Sequence, residues 1–258
     1  MKFISIMLLA LSFSAMAKVK TENIEYTSNG TKLKGVIAYD DAKKKPVPGI
    51  LVFSNWMGNT PANIEQAKEI ASRGYVALAA DIYGDGYIAK DMKEASELAG
   101  KYRNGDRSVM RERAAAALSA LINSKRVDKS KTAAIGFCFG GTVVLEMVRS
   151  GEDMKGVVSF HGNLASSNEK NKLVDVKAKV LALHGADDPF VSPEEVAGFQ
   201  KEMRDAKADW QLVAYGNSVH SFTDKDAGSD PSKGQAYNEL SSKRAFKAMD
   251  DFFAEIFK

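Results

Sequence analysis

Hydrophobic and polar positions along the chain fall into segments whose period changes several times. "NIEYTSNGTKLKGVIAYDD" alternates apolar and polar residues around Asn29-Gly30. That dipeptide tolerates the positive φ of a two-residue turn, so the segment predicts an antiparallel hairpin. "KKKPVP" then leads into "GILVFSNW", an uninterrupted apolar run of the kind buried on both faces of a parallel sheet. "PANIEQAKEIASR" places apolar residues at helical spacing, at Ile64, Ala67, Ile70 and Ala71, and stops at Gly74. "YVALAADIYG" is the next strand, and "DMKEASELAGKYRNGDRSVMRERAAAALSALINSK" reads as two helices broken at Asn104-Gly105. The alternation continues with strand "KTAAIGF", helix "GGTVVLEMVRS", strands "MKGVVSFHG" and "AKVLALHG", and helix "SPEEVAGFQKEMRDA". Strand "WQLVAYG" and the amphipathic helix "NELSSKRAFKAMDDFFAEIFK" close the chain. A hairpin followed by strand–helix units predicts an α/β domain with a mostly parallel central sheet and helices on both faces.

The first residues follow a different plan. In "MKFISIMLLALSFSAMA", Lys2 is a positive start, Phe3 to Met16 an apolar core, and Ala15-Met16-Ala17 a small-x-small processing site. This is the layout of a secretory signal peptide cleaved after Ala17. An uncleaved anchor is the alternative, but the apolar run is shorter than the ~20 residues a spanning helix wants. The expectation is an exported protein, periplasmic or secreted, with one domain over residues 18–258 and no membrane contact after cleavage.

Composition removes several function classes. Lys and Arg total 36 against 33 Asp and Glu, a formal charge of +3, and only Lys43-Lys44-Lys45 cluster. No basic stripe points to nucleic acid. The 3 histidines and 1 cysteine show no H-E-x-x-H or paired spacing, and no phosphate-cradling glycine loop occurs. Neither a metal nor another cofactor is expected, and a monomer is the favoured state.

The lone cysteine adds chemistry. Cys138 sits in G-F-C-F-G, between the strand "TAAI" and the helix "TVVLEMV". It has no partner for an internal disulfide and no resolving thiol. A buried thiol acting as a hydrophobe is the bland reading. The glycines at 136, 140 and 141 favour another, a sharp strand-to-helix turn that presents the side chain, as in the nucleophile elbow G-x-S-x-G. A thiol nucleophile needs a base and an orienting acid, in that fold following in the order nucleophile, acid, histidine. His161 and His184 end strands, and His220 in "AYGNSVHSF" alone follows a strand after the candidate acid. The acid falls in "HGADDPFV". The spacing Gly185-x-x-Asp188-x-x-Val191 favours Asp188, with Asp187 a solvated neighbour. The backbone N–H groups of Phe139 and of Trp56, in the loop after "GILVFS", are the candidate oxyanion donors. His161, Trp56, Phe139 and Phe222 are candidate pocket-lining residues.

Taken as a set, "GFCFGG", "HGADDPFV" and "VHSF", with "SRGYVALAADIYG" and "AYNELSSKRAFKAMDDFF", resemble the dienelactone hydrolase family. The resemblance runs from about Gly30 to the end of the chain. It implies the α/β-hydrolase fold and hydrolysis of a small-molecule ester or lactone by Cys138, His220 and Asp188 through a thioester. Family members that open dienelactone carry a glutamate against the resting cysteine, where this chain has Asn55. They also carry a substrate-binding arginine four residues past the histidine, where this chain has Asp224. Both departures imply a substrate other than an anionic dienelactone. A thioesterase on the same three residues, and a hydrolase-shaped binding protein without catalysis, are the competing readings. The complete Cys-Asp-His set argues against the second.

Overall fold

Asn29 and Gly30 both take positive φ, 46° and 78°, and close β1 (Val19–Ser28) onto β2 (Thr31–Asp40) with Ser28 opposite Thr31. The structure, a computed structural model, describes residues 19–105, 107–166 and 176–258. The leader, with its expected cleavage after Ala17, lies outside the described residues. After the hairpin come β3 (Val47–Phe53), α1 (Pro61–Ser72), β4 (Val76–Ala80), α2 (Met92–Arg103) and α3 (Ser108–Ile122). They are followed by β5 (Val127–Phe137), α4 (Phe139–Arg149), β6 (Gly156–Phe160), β7 (Lys179–Gly185), α5 (Pro193–Asp205), β8 (Trp210–Tyr215) and α6 (Glu239–Ile256). Each matches a segment expected from the hydrophobic pattern. β5 starts earlier than its apolar part, because Val127 and Asp128 pair with Val47 and Pro48 across a register shift.

The eight strands form one sheet in the order β1-β2-β4-β3-β5-β6-β7-β8. β1, β2 and β4 pair antiparallel, and the remaining neighbours are parallel. Period-2 alternation divides the strand residues between two buried layers. Leu51, Phe53, Leu78, Ala134, Val157 and Val180 pack under α3, α4 and α5, with Met110, Leu118, Val143, Met147 and Phe199. Ile50, Val52, Ala79, Ile135, Val158 and Leu181 face α1 and α6, with Ile70, Met249 and Phe253. Burial on both faces explains why these strands read as unbroken apolar runs.

α1 carries the chain from β3 to β4 on one side, whereas β5 pairs with β3 on the other. That reversal opens a crevice at the carboxyl ends of β3 and β5, the usual place for a ligand in an open parallel sheet. The loops after β3, β5, β6, β7 and β8 carry Asn55 and Trp56, Cys138, His161, Asp188 and His220 respectively.

Candidate active site

Cys138 takes φ 54° and ψ −113° between β5 and α4, a strained conformation for any residue but glycine. Two glycines make the turn possible. A Cβ on Gly136 would fall on the Gly140 carbonyl, and one on Gly140 would fall on the Phe53 carbonyl. Cys138 is the N-cap of α4, and its side chain makes no capping bond. The Gly141 N–H turns back to the Cys138 carbonyl at 2.9 Å, no side chain caps the turn before it, and the helix dipole favours negative charge at this end.

His220 lies within reach of the sulfur. Its Nε2 is 3.0 Å from Cys138 Sγ, and its Nδ1 is 2.8 Å from Asp188 Oδ2. Asp188 is 5 % exposed, and its other oxygen accepts the Phe190 N–H at 2.9 Å. Asp187 is exposed and only its backbone is engaged, with Ser218 O. Burial works against a charged His220, but the hydrogen bonds and charges of Asp188 and Cys138 outweigh it and raise its pKa to about 10. The Phe190 ring stands edge-on to the imidazole at 5.4 Å.

Cys138 and His220 open into a cleft of about 620 Å³. Asn55, Trp56, Met92, Phe190, Arg103 and Asp224 are among its lining residues. Asn55 Oδ1 accepts from Met57 N–H at 3.0 Å and Asn63 Nδ2 at 3.4 Å, leaving its amide N–H groups as the open edge. Trp56 is held by its carbonyl, which accepts from the Tyr83 hydroxyl at 2.7 Å. Asp224 accepts the Asp226 N–H at 2.9 Å as cap of a short 3₁₀ turn, and burial raises its pKa.

Three pocket expectations are corrected. His161 is 2 % exposed and does not line the cleft; its ring lies beneath Cys138 and His220, against Phe222. Phe222 is fully buried and packs on Tyr215 and His161. Both sit on loops whose backbone reaches the site, and the sequence pattern carries no sign of which side chains turn inward. The Phe139 side chain likewise packs into the core, against Tyr83.

Sequence reasoning did not single out Tyr83, Arg103, Phe190 or Thr223. Phe190 stood inside the "ADDPFV" stretch and was open to notice. The others act through long-range contacts that leave no local spacing.

A strand-to-helix turn bearing Cys138, with an acid and a histidine from later loops, on this sheet order, defines an α/β-hydrolase. The dienelactone hydrolase family model matches residues 33–257, and the chain belongs to that family, whose members hydrolyse ester or lactone bonds. A solved structure named m3DLH is 38% identical, covers 93% of this chain and 99% of its own, and has a TM-score of 0.88. A dienelactone hydrolase-like promiscuous phosphotriesterase from metagenomic libraries is 39% identical, with 92% and 98% covered and a TM-score of 0.85. Among curated relatives, "Uncharacterized protein K02A2.1" of Caenorhabditis elegans is 36% identical over 60% of this chain and 97% of its own length.

Proposed function

We propose that the chain hydrolyses neutral carboxylic esters or lactones, with Cys138 as nucleophile, His220 as acid–base and Asp188 as its orienter. The observation that carries this reading is the run of contacts from Cys138 Sγ to His220 at 3.0 Å and on to Asp188 at 2.8 Å, at the cleft. With its pKa raised to about 10, His220 holds a proton at neutral pH, and in this reading the sulfur beside it attacks as the thiolate. Sulfur attacks the acyl carbon, and the carbonyl electrons move onto its oxygen. Collapse of this intermediate expels the alkoxide, which takes the proton from His220 Nε2 and leaves a thioester on Cys138. His220 then takes a proton from water, the hydroxide attacks the thioester, and acid and thiolate are released.

Phe139 N–H, in the first turn of α4, and Trp56 N–H serve the oxyanion in this reading. Among the described residues neither has a hydrogen-bond partner, whereas the adjacent Met57 N–H is already used by Asn55. Asn55 supports the choice of mechanism, since it brings no negative charge to a thiolate and cannot act as the base that takes the thiol proton. The leader supports export of the mature chain.

The experiment is turnover of matched aryl esters, lactones and thioesters by the purified mature chain, with intact-mass analysis during turnover of a slow ester. An acyl adduct confined to the Cys138 peptide is expected. Full turnover by Cys138→Ala would overturn the mechanism.

A further inference from the structure

His161 closes β6 away from the cleft, yet it touches both loops that supply the reacting pair. Its Nδ1 accepts a hydrogen bond from the backbone N–H of Cys138 at 3.2 Å, a donor shared with the Phe160 carbonyl at 3.0 Å. Its Nε2 lies 2.7 Å from the hydroxyl of Thr223, on the loop that bears His220. An amide N–H can only donate, so Nδ1 carries no proton. The proton is therefore on Nε2, which donates to Thr223 Oγ1. Protonating the ring would set N–H against N–H at Cys138. Burial first, and the neighbouring His220 second, hold its pKa well below 6.5, in keeping with that neutral tautomer.

We propose that His161 is a positioning residue: a neutral bridge that ties the Cys138 turn to the His220 loop and so sets the sulfur–imidazole distance. The inference rests on the roles given above to Cys138 and His220. Cys138 and Ser221, the residue after His220, both hold positive φ, 54° and 57°, and His161 itself holds 40°. Such conformations persist only where the surroundings over-determine them. Packing against Phe222, with centroids 5.3 Å apart, fixes the plane of the His161 ring. The two hydrogen bonds add what packing lacks, a fixed register between loops whose reacting residues are 82 residues apart.

Three variants test the bridge. Thr223→Val removes the hydroxyl at nearly constant volume. His161→Asn suits a positive φ and keeps an acceptor for Cys138 N–H, but is too short to reach Thr223. The third is the double variant. Steady-state kinetics on a neutral aryl ester are read beside the second-order rate of iodoacetamide alkylation of Cys138 and the thermal midpoint. Each single variant should lower kcat about ten-fold with little change in KM, and should slow alkylation, as expected when reacting atoms are displaced by a fraction of an ångström. The double variant should be no worse than the poorer single, because both cut one connection. Normal kcat and alkylation with only a lower midpoint, or losses that multiply in the double, would overturn the proposal. Thr223→Val decides alone if His161→Asn does not fold. The alkylation arm needs no substrate, so it judges the bridge even if the ester-hydrolase reading fails.

Discussion

Nε2 of His220 lies 3.0 Å from Sγ of Cys138, across 82 residues of chain. With Asp188 on the other ring nitrogen, this contact makes the imidazole far more basic than in the unfolded chain, raising it from 6.5 to about 10. A folded value above the unfolded one gives a stabilisation that is complete below about pH 6.5 and lost as pH rises through about 10. The thermal midpoint should therefore fall across that window. Cys138→Ala and Asp188→Asn each remove one cause of the shift and should flatten the fall. A slope unchanged in both would show that His220 does not hold its proton there.

Asp188 and Asp187 are neighbours in sequence with opposite surroundings, one buried on His220 and one exposed. Asp188→Asn should lower kcat strongly, whereas Asp187→Asn should stay near the parent. His220→Ala should cost ~10³-fold or more, since the three groups act as a unit. A weaker enzyme from Asp187→Asn than from Asp188→Asn would reverse the assignment.

The legible part of this site is the part fixed by strand ends. Cys138, Asp188 and His220 each follow an apolar run that is a parallel strand. The sheet brings such ends to one edge, so chain order and local spacing were enough. What was missed depends on side-chain direction within loops. His161 and Phe222 follow strands just as Cys138 does, yet both turn into the core. Tyr83 reaches Trp56 across 27 residues, and no periodic pattern encodes that. Glu146 is the sharpest case, lying in the apolar run "TVVLEMV" with its countercharges mostly on another helix.

Tyr83 should matter to catalysis without touching the sulfur. Its hydroxyl holds the Trp56 carbonyl at 2.7 Å, and its ring lies 5.7 Å from that of Phe139. It thus braces both residues assigned to the oxyanion. Tyr83→Phe keeps the ring and frees the Trp56 peptide, so kcat should fall several-fold while KM changes little. A rise in KM alone would place Tyr83 in substrate binding instead.

Glu146 is fully buried, with Arg107, Arg111 and Arg149 at 2.8, 2.6 and 3.0 Å. Burial opposes its charge, but the three guanidinium groups prevail and lower its pKa. Glu146→Gln keeps the shape but removes the charge these guanidinium groups share, leaving Arg149 its pair with Glu202, and should cost about 3 kcal/mol in denaturant unfolding. The Glu146 contribution is present above about pH 4.5 and lost as pH falls through its lower folded value. The variant should accordingly lose part of the parent's acid-induced destabilisation. An unfolding free energy equal to the parent's would mean that the cluster is energetically neutral.

Asp224 bears on substrate charge, because its carboxylate lines the cleft that holds Cys138 and His220. Asp226 joins it there, against Arg103 as the opposing cation. Two like charges about 4 Å apart repel by ~4 kcal/mol at an effective dielectric near 20, and by less where water enters. Even a third of that is about a factor of ten in rate, hence the expected preference for neutral over carboxylated esters. Asp224→Arg should shift the ratio of kcat/KM values toward the carboxylated ester by about ten-fold or more, and Asp224→Asn should shift it less. Burial raises the pKa of Asp224, so acidification neutralises it sooner than an ordinary aspartate. Discrimination should then narrow as pH falls, provided the carboxylate of the test ester stays ionised. A parent that already prefers the carboxylated ester, or an Asp224→Arg variant with an unchanged ratio, would remove Asp224 from substrate selection.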